Sequence, residues 1–160
     1  MLDLIIKNGS CYIDNDLKDQ DIAIKNGRII EIGKIDSEAK ETYDAKGLTV
    51  LPGCIDTQTH FREPGSTDTE DLHSGSRAAV AGGITSVFEM PNTNPPTSNK
   101  FEFQKKLDLA KNRMYCNYAF YFGATPDNDS ELADLKNLEG CCGIKLFAGS
   151  STGNLLVQHE

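Results

Sequence analysis

Asp56-Thr57-Gln58-Thr59-His60-Phe61-Arg62-Glu63-Pro64-Gly65 is the stretch from which the rest of this chain can be read. It has the character of a buried strand ending in a polar loop. Strand side chains alternate faces, so Asp56, Gln58, His60 and Arg62 are expected on one side. Ile55, Thr57, Thr59 and Phe61 are expected on the other. A neutral imidazole binds divalent cations, and a guanidinium holds a carboxylate through two parallel hydrogen bonds. The row therefore suits a metal and an anionic ligand. Gln58 is its odd member, because a neutral amide oxygen is a poorer ligand than imidazole for zinc. The plainer alternative is a loop with an incidental histidine and an Arg–Glu surface pair.

Downstream, strands and helices alternate. An apolar run from Leu48 to Ile55 leads into the polar row. Thr67 and Glu70 form a candidate capping box for a helix that ends at Gly82-Gly83, where glycine tolerates a left-handed cap. A second strand runs from Ile84 to Met90, and a Pro- and Asn-rich loop follows from Pro91 to Pro96. The next helix starts near Ser98 or Asn99 and sets Phe103, Leu107, Ala110 and Met114 on one face. A third strand spans Cys116 to Gly123. A short helix carrying Leu132, Leu135 and Leu138 precedes a fourth strand, Cys142 to Phe147. The count is four βα steps, the last one cut off, and such alternation implies a parallel sheet. Chemistry in these folds collects at the C-terminal ends of the strands, where His60 and Arg62 fall.

Upstream, residues 1–50 read as a small all-β unit. Leu4-Ile5-Ile6-Lys7-Asn8-Gly9 and Ile22-Ala23-Ile24-Lys25-Asn26-Gly27 echo one another. Each places an Asn-Gly pair after an apolar run, a hairpin signal. Ile29, Ile30 and Ile32 carry a return strand, and another passes through Thr42-Tyr43-Asp44.

Two further positions carry chemistry. Lys145 sits in an apolar strand between Ile144 and Leu146. An inward lysine there must lose its charge, pair or coordinate, and a neutral amine adds carbon dioxide to give a carbamate that ligates like a carboxylate. The alternative is an edge-strand lysine whose stem snorkels to water. Asn92 follows the second strand and either donates to a ligand carboxylate or caps a turn. His73 reads as a surface residue. Gly149-Ser150-Ser151-Thr152-Gly153 lacks the lysine of a phosphate-binding loop.

Composition narrows the classes. With 160 residues, 38% apolar and 25% charged, the chain suits a soluble globular protein. A net charge of −8 argues against nucleic acid or anionic membrane as partner. Five cysteines with no CxxC spacing suggest reduced thiols, a cytoplasmic location and no thiolate zinc site. The first residues do not form a signal peptide, and no run approaches the ~18 apolar residues of a membrane span.

Taken together, Pro52-Gly53-Cys54-Ile55-Asp56, His60-Phe61-Arg62-Glu63-Pro64-Gly65, Ala81-Gly82-Gly83-Ile84-Thr85, Met90-Pro91-Asn92-Thr93-Asn94-Pro95-Pro96 and Gly143-Ile144-Lys145-Leu146-Phe147 resemble the dihydroorotases of the amidohydrolase superfamily. The resemblance implies an α/β fold: the first half of a (β/α)8 TIM-type metal-dependent hydrolase barrel over residues 51–160, preceded by part of a small β-sandwich over residues 1–50. It implies reversible hydrolysis of dihydroorotate to N-carbamoyl-aspartate in pyrimidine synthesis, with one or two zinc ions per complete site. His60 would ligate metal, Lys145 would bridge as its carbamate, and Gln58 stands where the family usually has His. Arg62 and Asn92 would hold the substrate carboxylate. The family's general base, an Asp, has no counterpart among these residues, so the chain alone is expected to be inactive. Its expected partners are the remainder of the barrel or a C-terminal partner, with a second copy or a transcarbamoylase beyond that. Two alternatives are a non-catalytic dihydroorotase-like partner protein and an allantoinase- or hydantoinase-type hydrolase.

Overall fold

Asn26 and Gly27 both take positive φ, 52° and 70°, and there the chain folds back between β4 (Asp21–Lys25) and β5 (Arg28–Gly33). The twin pair Asn8-Gly9, expected to do the same, does not. Only Asn8 has positive φ. β1 (Leu2–Lys7) pairs antiparallel with β4 and parallel with β6 (Ala39–Asp44). β2 (Ser10–Ile13) leaves for a second sheet with β3 (Asp16–Asp19) and β7 (Thr49–Val50). The cause is local. The Asn8 backbone N–H donates to Asp21 (3.1 Å) and its side chain to Asp44 (2.9 Å), so both are tied to other strands. A Cβ on Gly9 would come within 2.6 Å of Val50 Cγ2, so glycine serves close approach there.

This computed structural model describes residues 1–151 and 153–158. It divides into compact units Met1–Pro52 and Gly53–Glu160. The first has sheets ordered β5-β4-β1-β6 and β3-β2-β7, with Ile5, Ala23 and Ile35 buried together. The run Leu48–Ile55 is not one strand. Thr49–Val50 pairs with β2, whereas Cys54 begins the next unit's sheet after Pro52-Gly53, residues that interrupt a ladder.

The second unit is a parallel sheet of β8 (Cys54–Thr59), β9 (Ile84–Glu89), β10 (Asn117–Gly123) and β11 (Cys141–Lys145). Between the strands lie α1 (Leu72–Ala81), α2 (Lys100–Ala110), and α3 (Asp129–Leu132) with a 3-10 turn at Leu135–Asn137. Spatial order follows chain order. Right-handed crossovers in unbroken succession wind a barrel rather than a doubly wound sheet. The fold is the first half of a (β/α)8 barrel, preceded by part of a small β-sandwich. No described helix is long and apolar enough to cross a membrane.

The core of this unit gathers Phe61, Leu72, Val87, Phe103, Ala110, Phe120, Phe122 and Leu135. Phe103, Leu107, Ala110 and Met114 do share the face that packs here. Helix α1 starts later than the Thr67/Glu70 signal suggests. Asp71 is the N-cap and closes a reciprocal box with Ser74, while Ser66 to Glu70 is held as turns by Ser66 N–H to Arg62 O and Thr69 N–H to Ser66 O, both 3.0 Å. Asp71→Ala is expected to cost about 1 kcal/mol in urea denaturation, and Thr67→Ala close to nothing.

Candidate functional site

Strand β8 ends at Thr59, and His60 lies just past it, half-buried. The pleat does not carry on to Arg62 as expected. Phe61 turns into the core, its ring against Gly75, and Arg62 takes φ 59° and is exposed. A left-handed turn, not strand alternation, sets its direction. That backbone is held by its neighbour. Glu63 is buried and accepts two bonds from Arg113 (2.8 and 3.2 Å) and one from the Leu72 backbone N–H (2.9 Å). The surface Arg62–Glu63 pair considered above does not form; Glu63 faces a partner fifty residues on. Glu63→Gln, which weakens both bonds to Arg113, is expected to lower stability by about 1–3 kcal/mol in urea denaturation.

The second strand delivers the other half of the site. Thr93 and Thr97 both donate backbone N–H to Pro91 O (2.9 Å each), closing the Pro91–Pro96 loop on itself. Asn94 N–H donates to Pro64 O (3.0 Å), lacing this loop to the one that carries Arg62. The approach is close at Gly65, φ 122°, where a Cβ would lie 2.9 Å from Asn94 Cβ. Arg62 and Asn92 thereby line one cavity of about 350 Å³ with Pro64, Ser66, Thr93, Asn94, Pro96 and Gly153. Of the glycine-serine segment, Gly153 lines this cavity and Thr152 lies outside the described residues.

Burial disfavours the charged form of the His60 imidazole, and the Asn92 amide favours it. Desolvation outweighs the amide, and Arg62, Lys145 and Lys106 add positive potential, so the His60 pKa lies below its ordinary value. His60 is then a neutral donor at pH 7. Between its folded pKa and the unfolded value of about 6.5, the unfolded chain binds more protons. Its contribution to stability is present above that window and is lost as pH falls through it. An NMR titration of the imidazole is expected to give a midpoint under about 6.5; one above it would contradict this field.

Lys145, the last residue of β11, is half-buried with Nζ 5.0 Å from the Phe147 ring centroid, and its charge is felt at His60. Gln58 is exposed on β8, its backbone N–H donating to the Asp56 carboxylate (2.9 Å). Among the described residues no three His, Cys, Asp or Glu side chains converge. One imidazole and one amine, among cations, fall short of the donor set zinc takes. They do not by themselves fit a metal ion.

A family profile of amidohydrolases matches residues 49–143, well over half of the chain. The chain belongs to the amidohydrolase family. Among similar proteins, a dihydroorotase of Methanosarcina mazei is 40% identical over 162 residues, covering 100% of this chain and 35% of that protein. An allantoinase of Escherichia coli is 40% identical over 149 residues, covering 92% of this chain and 33% of that protein. The solved L-hydantoinase (dihydropyrimidinase) of Arthrobacter aurescens superposes with a TM-score of 0.87 at 30% identity, covering 98% of this chain and 35% of that one. The chain spans about a third of the length of these relatives. The dihydroorotase and the allantoinase are equally similar to this chain.

The resemblance carried by the HFREPG and MPNTNPP stretches is borne out at the level of the family. Two residues that shape the site escaped the sequence reading. Glu63 offered only a surface pair with its neighbour Arg62, and nothing local points to Arg113, fifty residues on. Lys106 looked like any helical lysine, although it falls at helical spacing between Phe103 and Ala110, and it is fully buried.

Proposed function

We propose that this chain is the amino-terminal part of a dihydroorotase-like cyclic amide hydrolase, interconverting dihydroorotate and N-carbamoyl-aspartate. One observation carries the choice of substrate: Arg62 and Asn92 line the same polar cavity. A ring bearing a carboxylate calls for a guanidinium there, because the fork geometry matches two carboxylate oxygens. Asn92 would donate its amide to the same group. Allantoin and hydantoin rings carry no such carboxylate and leave Arg62 without a role.

The reaction adds water to the ring carbonyl carbon, breaks the C–N bond and returns a proton to the nitrogen. A divalent ion such as zinc, one or two per complete site, would supply the activated water. His60 and carbamylated Lys145 are the donors this chain would contribute, with Gln58 a weak third. The rest of the barrel, the general base included, would come from a complementary portion. In ¹³C-bicarbonate, Lys145 is expected to give a carbamate resonance that Lys145→Arg abolishes. Its absence in the assembled, zinc-loaded protein would count against the bridging role.

The test of function combines the chain with zinc, bicarbonate and dihydroorotate, alone and with the carboxy-terminal portion of the Methanosarcina mazei relative. Turnover is expected only in the mixture. A stable complex that never turns over would favour a second reading, a non-catalytic dihydroorotase-like protein that binds a transcarbamoylase or another copy of itself. Gln58 in the metal row is the observation that favours this alternative. Metal analysis separates the two, since the non-catalytic protein would hold no zinc while keeping its partner.

A further inference from the structure

The most deeply buried charges of this chain lie outside the cavity. Glu89, the last residue of β9, and Lys106, in the middle of α2, are each 0% exposed and form an ion pair. Removing two charges from water costs several kcal/mol per ion, and well-packed apolar residues often replace such a pair without loss. Stability alone is therefore a poor reason for it. What the pair touches is more informative.

Lys106 Nζ donates to the Met90 backbone O (3.1 Å), two residues before Asn92, and lies 5.1 Å from the Phe120 ring centroid. Glu89 itself sits opposite Thr59 in the β8–β9 ladder, three residues before Arg62. The strand ends are coupled here too, since Met90 N–H donates to Thr59 O (2.9 Å). Burial pushes Glu89 above and Lys106 below their usual ranges, and each partner's charge pulls the other back. Lys106 thus holds Met90 on the Asn92 side, and the Met90 backbone in turn holds Thr59, three residues before Arg62.

We propose that the Glu89–Lys106 pair is a positioning device that fixes the separation of Arg62 and Asn92, so that a ring carboxylate is held from both sides. The inference rests on the carboxylate reading of the cavity given above. Neither residue lines that cavity; Lys106, held by Glu89, acts through the Met90 backbone, which joins the two strand ends. In a low-dielectric interior a paired charge is held stiffly by its partner, and two strand ends joined at a backbone so held cannot drift apart independently.

The test uses the full chain and two probes, L-dihydroorotate and dihydrouracil, which share a ring and differ in the carboxylate. Calorimetric affinities are compared for the wild type, Lys106→Met, and the double variant Glu89→Gln/Lys106→Met. The double variant removes both charges at nearly constant shape and leaves neither unpaired. The wild type is expected to prefer dihydroorotate. The double variant is expected to lose about tenfold of that preference or more, with dihydrouracil affinity and circular dichroism unchanged. A purely structural pair would lower the melting temperature and leave the preference intact, and that result overturns the inference. Should the double variant not fold, Glu89→Gln alone keeps the Lys106–Met90 bond and is expected to lose part of the preference; full retention would again overturn it. A wild type without any preference would refute the carboxylate reading itself, and this inference with it.

Discussion

Phe103→Ala is expected to destabilise the barrel unit by about 3–5 kcal/mol, the usual cost of emptying a buried aromatic site. Phe103 is 0% exposed and the centre of the aromatic core. Its ring stacks on Phe122 at 6.0 Å and meets Phe120 edge-on at 6.4 Å, contacts that add to area burial. The void would not close easily. The next turn of α2 carries Lys106, bonded to Met90 O and paired with Glu89, so the helix cannot slide into the gap. Since domains hold about 5–15 kcal/mol in total, much of the stability would go at once. The check is urea denaturation: the midpoint falls with the slope unchanged. Phe103→Leu, which keeps most of the volume, is expected to cost less than half as much. A loss under about 1 kcal/mol for Phe103→Ala would mean that the site collapses freely and that α2 is not anchored there.

Much of this architecture is written in local patterns. The βα alternation, the Phe103/Leu107/Ala110/Met114 stripe and the Gly82-Gly83 helix end depend on neighbours in sequence, and periodicity and glycine chemistry expose them. The features that escaped reading depend on distant partners. Asn8-Gly9 and Asn26-Gly27 are identical dipeptides, yet Asp21 and Asp44 decide that only the second becomes a hairpin. Thr67 and Glu70 have the right spacing for a box, but Asp71 and Ser74 cap the helix, whose first N–H group the Glu63 carboxylate takes. Strand alternation predicted where Arg62 points until a positive φ intervened, and no local residue announces that φ. The same holds for the site. The motifs named Arg62 and Asn92, and the sequence did not reveal the buried Glu63 bonded to Arg113, or the buried Glu89–Lys106 pair whose lysine bonds Met90 O.

Arg62→Ala is expected to weaken dihydroorotate binding by roughly 10- to 100-fold while leaving dihydrouracil binding unchanged, since a hydrogen bond to a charged group contributes about 1.5–3 kcal/mol. The selectivity of the loss matters more than its size. Arg62 lines the cavity at its exposed rim, so its removal should subtract the carboxylate contact and little else. Arg62→Lys keeps the charge and loses the fork, and is expected to recover only part of the affinity. Arg62→Gly separates binding from folding. At φ 59° a non-glycine residue bears about 1 kcal/mol of backbone strain, so glycine should bind as poorly as alanine yet unfold at no lower urea concentration. Holding an arginine in that conformation, against its backbone preference, makes sense only if its guanidinium is used. If Arg62→Ala instead bound dihydroorotate as tightly as the wild type, the ring would be held by groups indifferent to its carboxylate. The allantoinase- or hydantoinase-type reading would then become the better account of this cavity.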